Sequence, residues 1–258
     1  MDYLPSLWYL CPLVFLAGFI DSAAGGGGTI SIPAYLLTGM PAHFAVGTNK
    51  FSAAFGTTIA TGRFIINKAI DIKTAVISGA FALIGAAFGA QLVLLLDDRA
   101  LRLMLIIALP CVAVFLVLKK SKESDSFNEN DGITPGKNAV LASVIGLFIG
   151  IYDGVIGPGT GTFAIIAYNT IMRYDLRTAS GNAKVLNLAS NAASLVTFAL
   201  AGNVILVIGL PAAASSIAGN YIGAGFAIKK GAKFIRPMLF IVLGILLIKI
   251  VYDFVTVV

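Results

Sequence analysis
Gly18-Phe-Ile-Asp21-Ser-Ala-Ala-Gly25-Gly-Gly-Gly28-Thr-Ile-Ser-Ile-Pro33 decides how this chain is read. Apolar residues without charge flank it on both sides. A similar stretch returns later as Gly150-Ile-Tyr-Asp153-Gly-Val-Ile-Gly157-Pro-Gly159-Thr-Gly161-Thr162. Glycine weakens a helix, and an ionisable group in hydrocarbon is costly. A carboxylate beside a glycine run therefore interrupts a bilayer-spanning helix rather than building one. Two such interruptions at matching places suggest a pair of broken helices facing a shared polar site.

Composition puts those interruptions in a membrane. Of 258 residues, 58% are hydrophobic and 12% charged, with mean hydropathy +0.94. A soluble domain carries about a quarter charged residues. The +6 charge sits mostly in short loops, where Lys and Arg orient a membrane protein, so no nucleic-acid partner is expected. Cys11 and Cys111 both lie in apolar runs, which argues against a disulfide. One His and two Cys make a metal centre improbable. The N-terminus lacks a basic region and a small-residue cleavage site, so its first apolar segment is expected to be retained.

Apolar segments run over 4–22, 29–38, 43–66, 72–96, 100–118, 138–152, 159–171, 177–201, 203–228 and 234–257. Several reach the ~20 residues of a spanning helix. The hydrophilic stretch from Lys119 to Pro135 reads as a solvated linker. This divides the chain into a first repeat over 1–119, a linker over 120–137 and a second repeat over 138–258. Asp21 matches Asp153 at an offset of 132 (153 − 21). Beyond the glycines, Ala45-Val-Gly47-Thr48-Asn49-Lys50 matches Ala179-Ser-Gly181-Asn182-Ala-Lys184 at an offset of 134 (184 − 50). Gly85 and Gly89 fall on Gly219 and Gly223 in the same register. These glycines suit close helix packing.

Basic loops swap places between the halves. The connection at 63–73 carries Arg63, Lys68 and Lys73, whereas 199–204 carries no charge. Conversely, 97–102 is balanced, and its counterpart holds Lys229, Lys230, Lys233 and Arg236. The positive-inside rule then sets the halves upside down relative to one another. The expected fold is all-α and integral to the membrane: two inverted-topology repeats, each a broken or re-entrant helix element followed by three transmembrane helices.

Several residue sets could carry chemistry. Lys50 and Lys184 each lie about two turns into a helix. Asn187 and Asn191 share a stripe with Lys184, as Thr57 does with Lys50, and such a stripe cannot face lipid. The lysines either snorkel to the interface or neutralise a carboxylate, or they supply positive charge to an anion held between the halves. Asp21 and Asp153 either pair with the lysines or cap the half-helix beyond the glycines, or they protonate and couple proton movement to transport. Gly26, Gly27, Gly28 and Thr29 open one half-helix; Gly159, Thr160, Gly161 and Thr162 open the other. A helix N-terminus attracts anions through oriented N–H donors and a positive dipole end. His43 reads as a loop residue at the surface, and Trp8 and Tyr9 as an aromatic belt.

These residues resemble the TauE/SafE family, the sulfite-exporter-like group of membrane proteins. The resemblance rests on Gly-x-x-Asp with its glycine run at 18–28, Gly-Thr-Asn-Lys at 47–50, the second run at 150–161, and 179–184 followed by Asn187 and Asn191. It implies a multi-pass protein of the bacterial inner membrane that exports a sulfur-containing oxyanion such as sulfite, or an organosulfonate. The halves differ at Thr48 against Asn182 and at Thr57 against Asn191, so the site is pseudo-symmetric at best. The reading is a secondary transporter and not an enzyme, without cofactor, with H+ as a possible coupling ion and a homodimer as a possible assembly. The substrate set is Gly26, Gly27, Gly28, Thr29, Thr48, Asn49, Lys50, Gly159, Thr160, Gly161, Thr162, Asn182, Lys184, Asn187 and Asn191. An anion channel is one rival; an intramembrane aspartyl enzyme built on Asp21 and Asp153 is a remoter one.

Overall fold
Every regular element among the described residues of the computed structural model is helical. The structure describes residues 3–105, 135–231, 233–235 and 237–238. A 3-10 turn, Leu4–Ser6, leads into α1 (Leu7–Ala24), followed by α2 (Gly28–Leu36), α3 (Ala42–Ile66) and α4 (Ile72–Leu94). After a helical stretch over 98–105 come α5 (Pro135–Val155), α6 (Thr160–Thr170), α7 (Leu176–Leu200) and α8 (Leu206–Lys230). Cys111, Arg236 and most of the expected linker and last span lie outside the described residues. Three residues assigned to the linker, 135–137, already belong to α5.

Length separates two kinds of helix. Among the described residues, five segments are long and apolar enough to cross a membrane: Leu4–Ala24, Ile72–Leu94, Gly136–Val155, Leu176–Leu200 and Leu206–Lys230. The protein is a multi-pass membrane protein. At 25 residues α3 also has the length. By contrast α2 has 9 residues and α6 has 11. At 1.5 Å per residue they reach roughly 14 and 17 Å, about half of a ~30 Å hydrocarbon core. Large apolar side chains such as Ile84 and Phe88 of α4, Phe148 of α5 and Val207 and Leu210 of α8 stand exposed, as a lipid-facing surface requires.

Backbone contact through small residues holds the long helices together. A methyl group built on Gly85 would lie 2.4 Å from the Leu147 carbonyl oxygen, and one on Gly219 would lie 2.1 Å from that of Phe15. Gly89 meets the Ile151 carbonyl at 2.5 Å, and Gly223 that of Phe19 at 2.2 Å, on the same criterion. Thus α4 packs on α5 as α8 packs on α1, with equivalent residues in each pair. A second set repeats the exchange. The Thr48 hydroxyl accepts the Ile205 N–H at 3.0 Å, and the Asn182 side-chain carbonyl accepts the Asp71 N–H at 3.0 Å. Each half thereby ties down the start of a helix in the other, α8 in one case and α4 in the other.

His43 differs from expectation. It lies in the first turn of α3, half-buried, with Nε2 3.2 Å from the Val93 carbonyl. His43 stands two residues past Pro41, the N-cap of α3, and falls within the helix because proline is tolerated where a helix starts.

Candidate functional site
The glycine runs stop α1 and α5 and start α2 and α6, and the stop of α1 touches the start of α6. Gly25 adopts φ +74°, outside the range of L-residues with side chains, and closes α1 through its N–H to the Asp21 carbonyl at 2.8 Å. A methyl group on it would lie 2.2 Å from the Gly161 carbonyl carbon and the Thr162 nitrogen. The Thr162 hydroxyl donates to the Ala24 carbonyl at 3.0 Å. The breaks are therefore joined main chain to main chain in the interior.

Around that junction the charged stripe residues cross over. Lys50 Nζ, on α3, lies 2.7 Å from Asp153 Oδ2 and 2.9 Å from the Asp153 carbonyl, on α5. Lys184 Nζ, on α7, lies 2.6 Å from Asp21 Oδ2, on α1. Each lysine thus pairs with the aspartate of the other half. The remaining carboxylate oxygens bind the helix starts that follow: Asp21 Oδ1 accepts the Gly27 N–H at 3.2 Å, and Asp153 Oδ1 accepts the Thr160 hydroxyl at 2.8 Å. Side-chain exposure is 3% for Lys50, 4% for Asp153, 0% for Lys184 and 15% for Asp21. Buried charges persist only when matched and hydrogen-bonded, and these four are. Their sum is zero. The lysines do not stand free to offer positive charge, because taking an ammonium out of water without a counter-charge costs more than the fold can supply.

A cavity of about 540 Å³, mouth included, opens beside the junction. Asp21, Gly26, Gly27 and Gly28 line it from the first break, and Asp153, Thr160 and Gly161 from the second. Asn49 and Lys50 reach it from α3, Asn187 and Asn191 from α7. The other residues singled out in the sequence stand elsewhere. Thr29 turns its hydroxyl onto the Gly26 carbonyl at 2.7 Å, and Thr162 binds Ala24. Gly159 is the left-handed residue that starts α6. Thr48 and Asn182 serve Ile205 and Asp71 as described. Lys184 reaches the cavity only through Asp21. Part of the expected N–H donor set is also occupied, since the Gly27 N–H serves Asp21 and that of Thr29 serves the Gly26 carbonyl.

Sequence reasoning passed over Ser216 and Asn220, which line the cavity from α8. Asn220 Nδ2 donates to the Ser216 carbonyl at 3.0 Å, which fixes the amide orientation, because a carbonyl only accepts. Asn220 Oδ1 is buried and has no hydrogen-bond partner. The signal was available: a serine and an asparagine four residues apart in an apolar span share a face. In the register of the repeat their counterparts are Ala82 and Ala86 (216 − 134 and 220 − 134), so the polar wall is one-sided.

Residues 10–250, which include both breaks and all four paired charges, match the family described as sulfite exporter TauE/SafE. The chain belongs to the TauE/SafE family. The chain is also 35% identical to a probable membrane transporter protein, YfcA, of Escherichia coli K12, over 98% of this chain and 95% of that protein. A probable membrane transporter protein of Haemophilus influenzae is 34% identical over 93% of this chain and 92% of its own length. The more distant YdhB of Bacillus subtilis is 25% identical over 87% and 93%. No solved structure matches the chain. Family membership and the named relatives make this TauE/SafE protein a membrane transporter.

Proposed function
We propose that this transporter carries a small sulfur-containing oxyanion, sulfite or an organosulfonate, across the bacterial inner membrane by alternating access between two inverted halves. The observation that carries the reading is the cavity at the joined helix breaks. There the Lys50 ammonium, with two of its three donors on Asp153, and the amides of Asn187 and Asn191 surround a space fit for a small polar solute. Anion oxygens would take the remaining ammonium proton and amide N–H groups, while Thr160 and the glycine main chain shape the floor. Inversion is supported by the swapped basic loops, and a repeat relation between the halves by the matching contacts that Gly85 makes with Leu147 and Gly219 with Phe15, and that Thr48 makes with Ile205 and Asn182 with Asp71. Helical spans suit an inner membrane, since outer membranes are crossed by closed barrels.

Counterflow tests the reading. Purified protein in liposomes preloaded with unlabelled sulfite or isethionate is expected to take up the labelled anion faster than empty vesicles do. Uptake without such trans-stimulation would describe a channel. No uptake of any sulfur oxyanion above protein-free vesicles would remove the substrate assignment.

A further inference from the structure
The paired charges leave the site neutral before any anion arrives, and that sets a condition on binding. Among the described residues the ionisable groups on the cavity wall are Asp21, Lys50 and Asp153, with Lys184 directly behind Asp21. A monovalent anion would bring the group to −1 in a low-dielectric interior, close to two carboxylates. Such a load is relieved by taking up one cation or one proton.

We propose that Asp21 is a proton-binding site of the transport cycle, and that each monovalent anion is carried together with one proton held on its carboxyl group. The inference rests on the transport reading and deepens it. Asp21 is the better candidate of the two carboxylates. Its side chain is 15% exposed to the cavity, against 4% for Asp153. Asp153 is further fixed by Thr160, and Lys50 grips both its carboxylate and its main-chain carbonyl. The groups facing Asp21 are Lys184 from α7, the Gly27 N–H at the start of α2, and Ser216 and Asn220 along the same wall from α8. Lys50 from α3, with Asp153 from α5 and Thr160 from α6, borders the same space. The step is a simple protonation: a proton from the aqueous side joins the Asp21 carboxylate, Lys184 keeps its ammonium, and the freed positive charge is matched by the anion. On the other side anion and proton leave together and the Lys184–Asp21 pair re-forms. Export then runs on accumulation of the anion inside and is opposed by an acid exterior.

Isethionate is a suitable probe, because a sulfonate stays ionised and cannot carry the proton itself. In proteoliposomes holding a pH dye, uptake of labelled isethionate is expected to acidify the lumen by one proton per anion. Its rate should rise as external pH falls and change little with an imposed membrane potential. Asp21→Asn should abolish the acidification and the pH dependence together. Should that variant fold poorly, calorimetric titration of the unaltered protein in two buffers of different ionisation heat reads the same quantity, one proton taken up per isethionate bound. Isethionate flux with a silent dye and a potential-dependent rate would overturn the inference while leaving transport intact. Absence of isethionate flux would overturn it too, and sulfite counterflow in the same vesicles then shows whether the transport reading itself survives.

Discussion

Lys184 has no exposed side-chain surface and lies 2.6 Å from Asp21. Removing one member of a buried pair strands the other, at a cost of about 3–5 kcal/mol. Lys184→Met is therefore expected to lower thermal stability in detergent sharply, and adding Asp21→Asn to it should restore part of the loss. Stability that falls equally in the single and double variants would show that the pair is not coupled. Asn220 presents the opposite case. Its Oδ1 has no partner to lose, and the Ser216 carbonyl it touches belongs to a helix. Asn220→Ala should leave the unfolding temperature nearly unchanged. If its amide meets the anion, apparent affinity for sulfite should drop about tenfold, a loss of ~1.4 kcal/mol, read by thermal shift against ligand concentration.

At the scale of an element, the breaks depend on glycine for two separate reasons, conformation and room. Gly25 needs both: its φ is +74° and its neighbours stand 2.2 Å from where a methyl would go. Gly25→Ala should part the two half-helices and destabilise the protein by several kcal/mol, more than the ~1–2 kcal/mol of the left-handed conformation alone. Gly62, one turn from the end of α3, has nothing within 4 Å. Gly62→Ala is expected to raise stability by up to about 1 kcal/mol through helix propensity. Thermal unfolding of the two variants side by side gives the comparison. The bounds of the long helices were legible from hydropathy to within a few residues. Hydropathy also bounded the two short helices, since the segments 29–38 and 159–171 lie within two residues of α2 and α6, but it could not show that the two breaks meet.

For the whole molecule, the pattern of exchanged contacts is that of a two-fold relation between halves. Gly47 abuts the Asn203 carbonyl and Gly181 that of Ala69, at 2.2 and 1.9 Å from a would-be methyl. If the halves are inverted, residues in the basic loops share one side of the bilayer. In a background with Cys11 and Cys111 replaced, Lys68→Cys and Lys229→Cys should react with an impermeant maleimide from the cytoplasmic side only, and Gly39→Cys and Gly202→Cys from the opposite side only. Labelling of Lys68→Cys and Lys229→Cys from different sides would exclude inversion.

By itself the sequence determined the class, the spans among the described residues and the two interruptions, because hydropathy, glycine content and intramembrane charge act locally and leave their mark on consecutive residues. It also narrowed the polar residues to two stripes. Only the tertiary structure decided that Lys50 answers Asp153 and Lys184 answers Asp21, and that Thr48 and Asn182 hold helix starts rather than the cavity. The same holds for Ser216 and Asn220, which share its wall. Those outcomes depend on which helix face meets which across more than a hundred residues of chain, and the close glycine contacts that set those faces are properties of the assembled pair, absent from either partner alone.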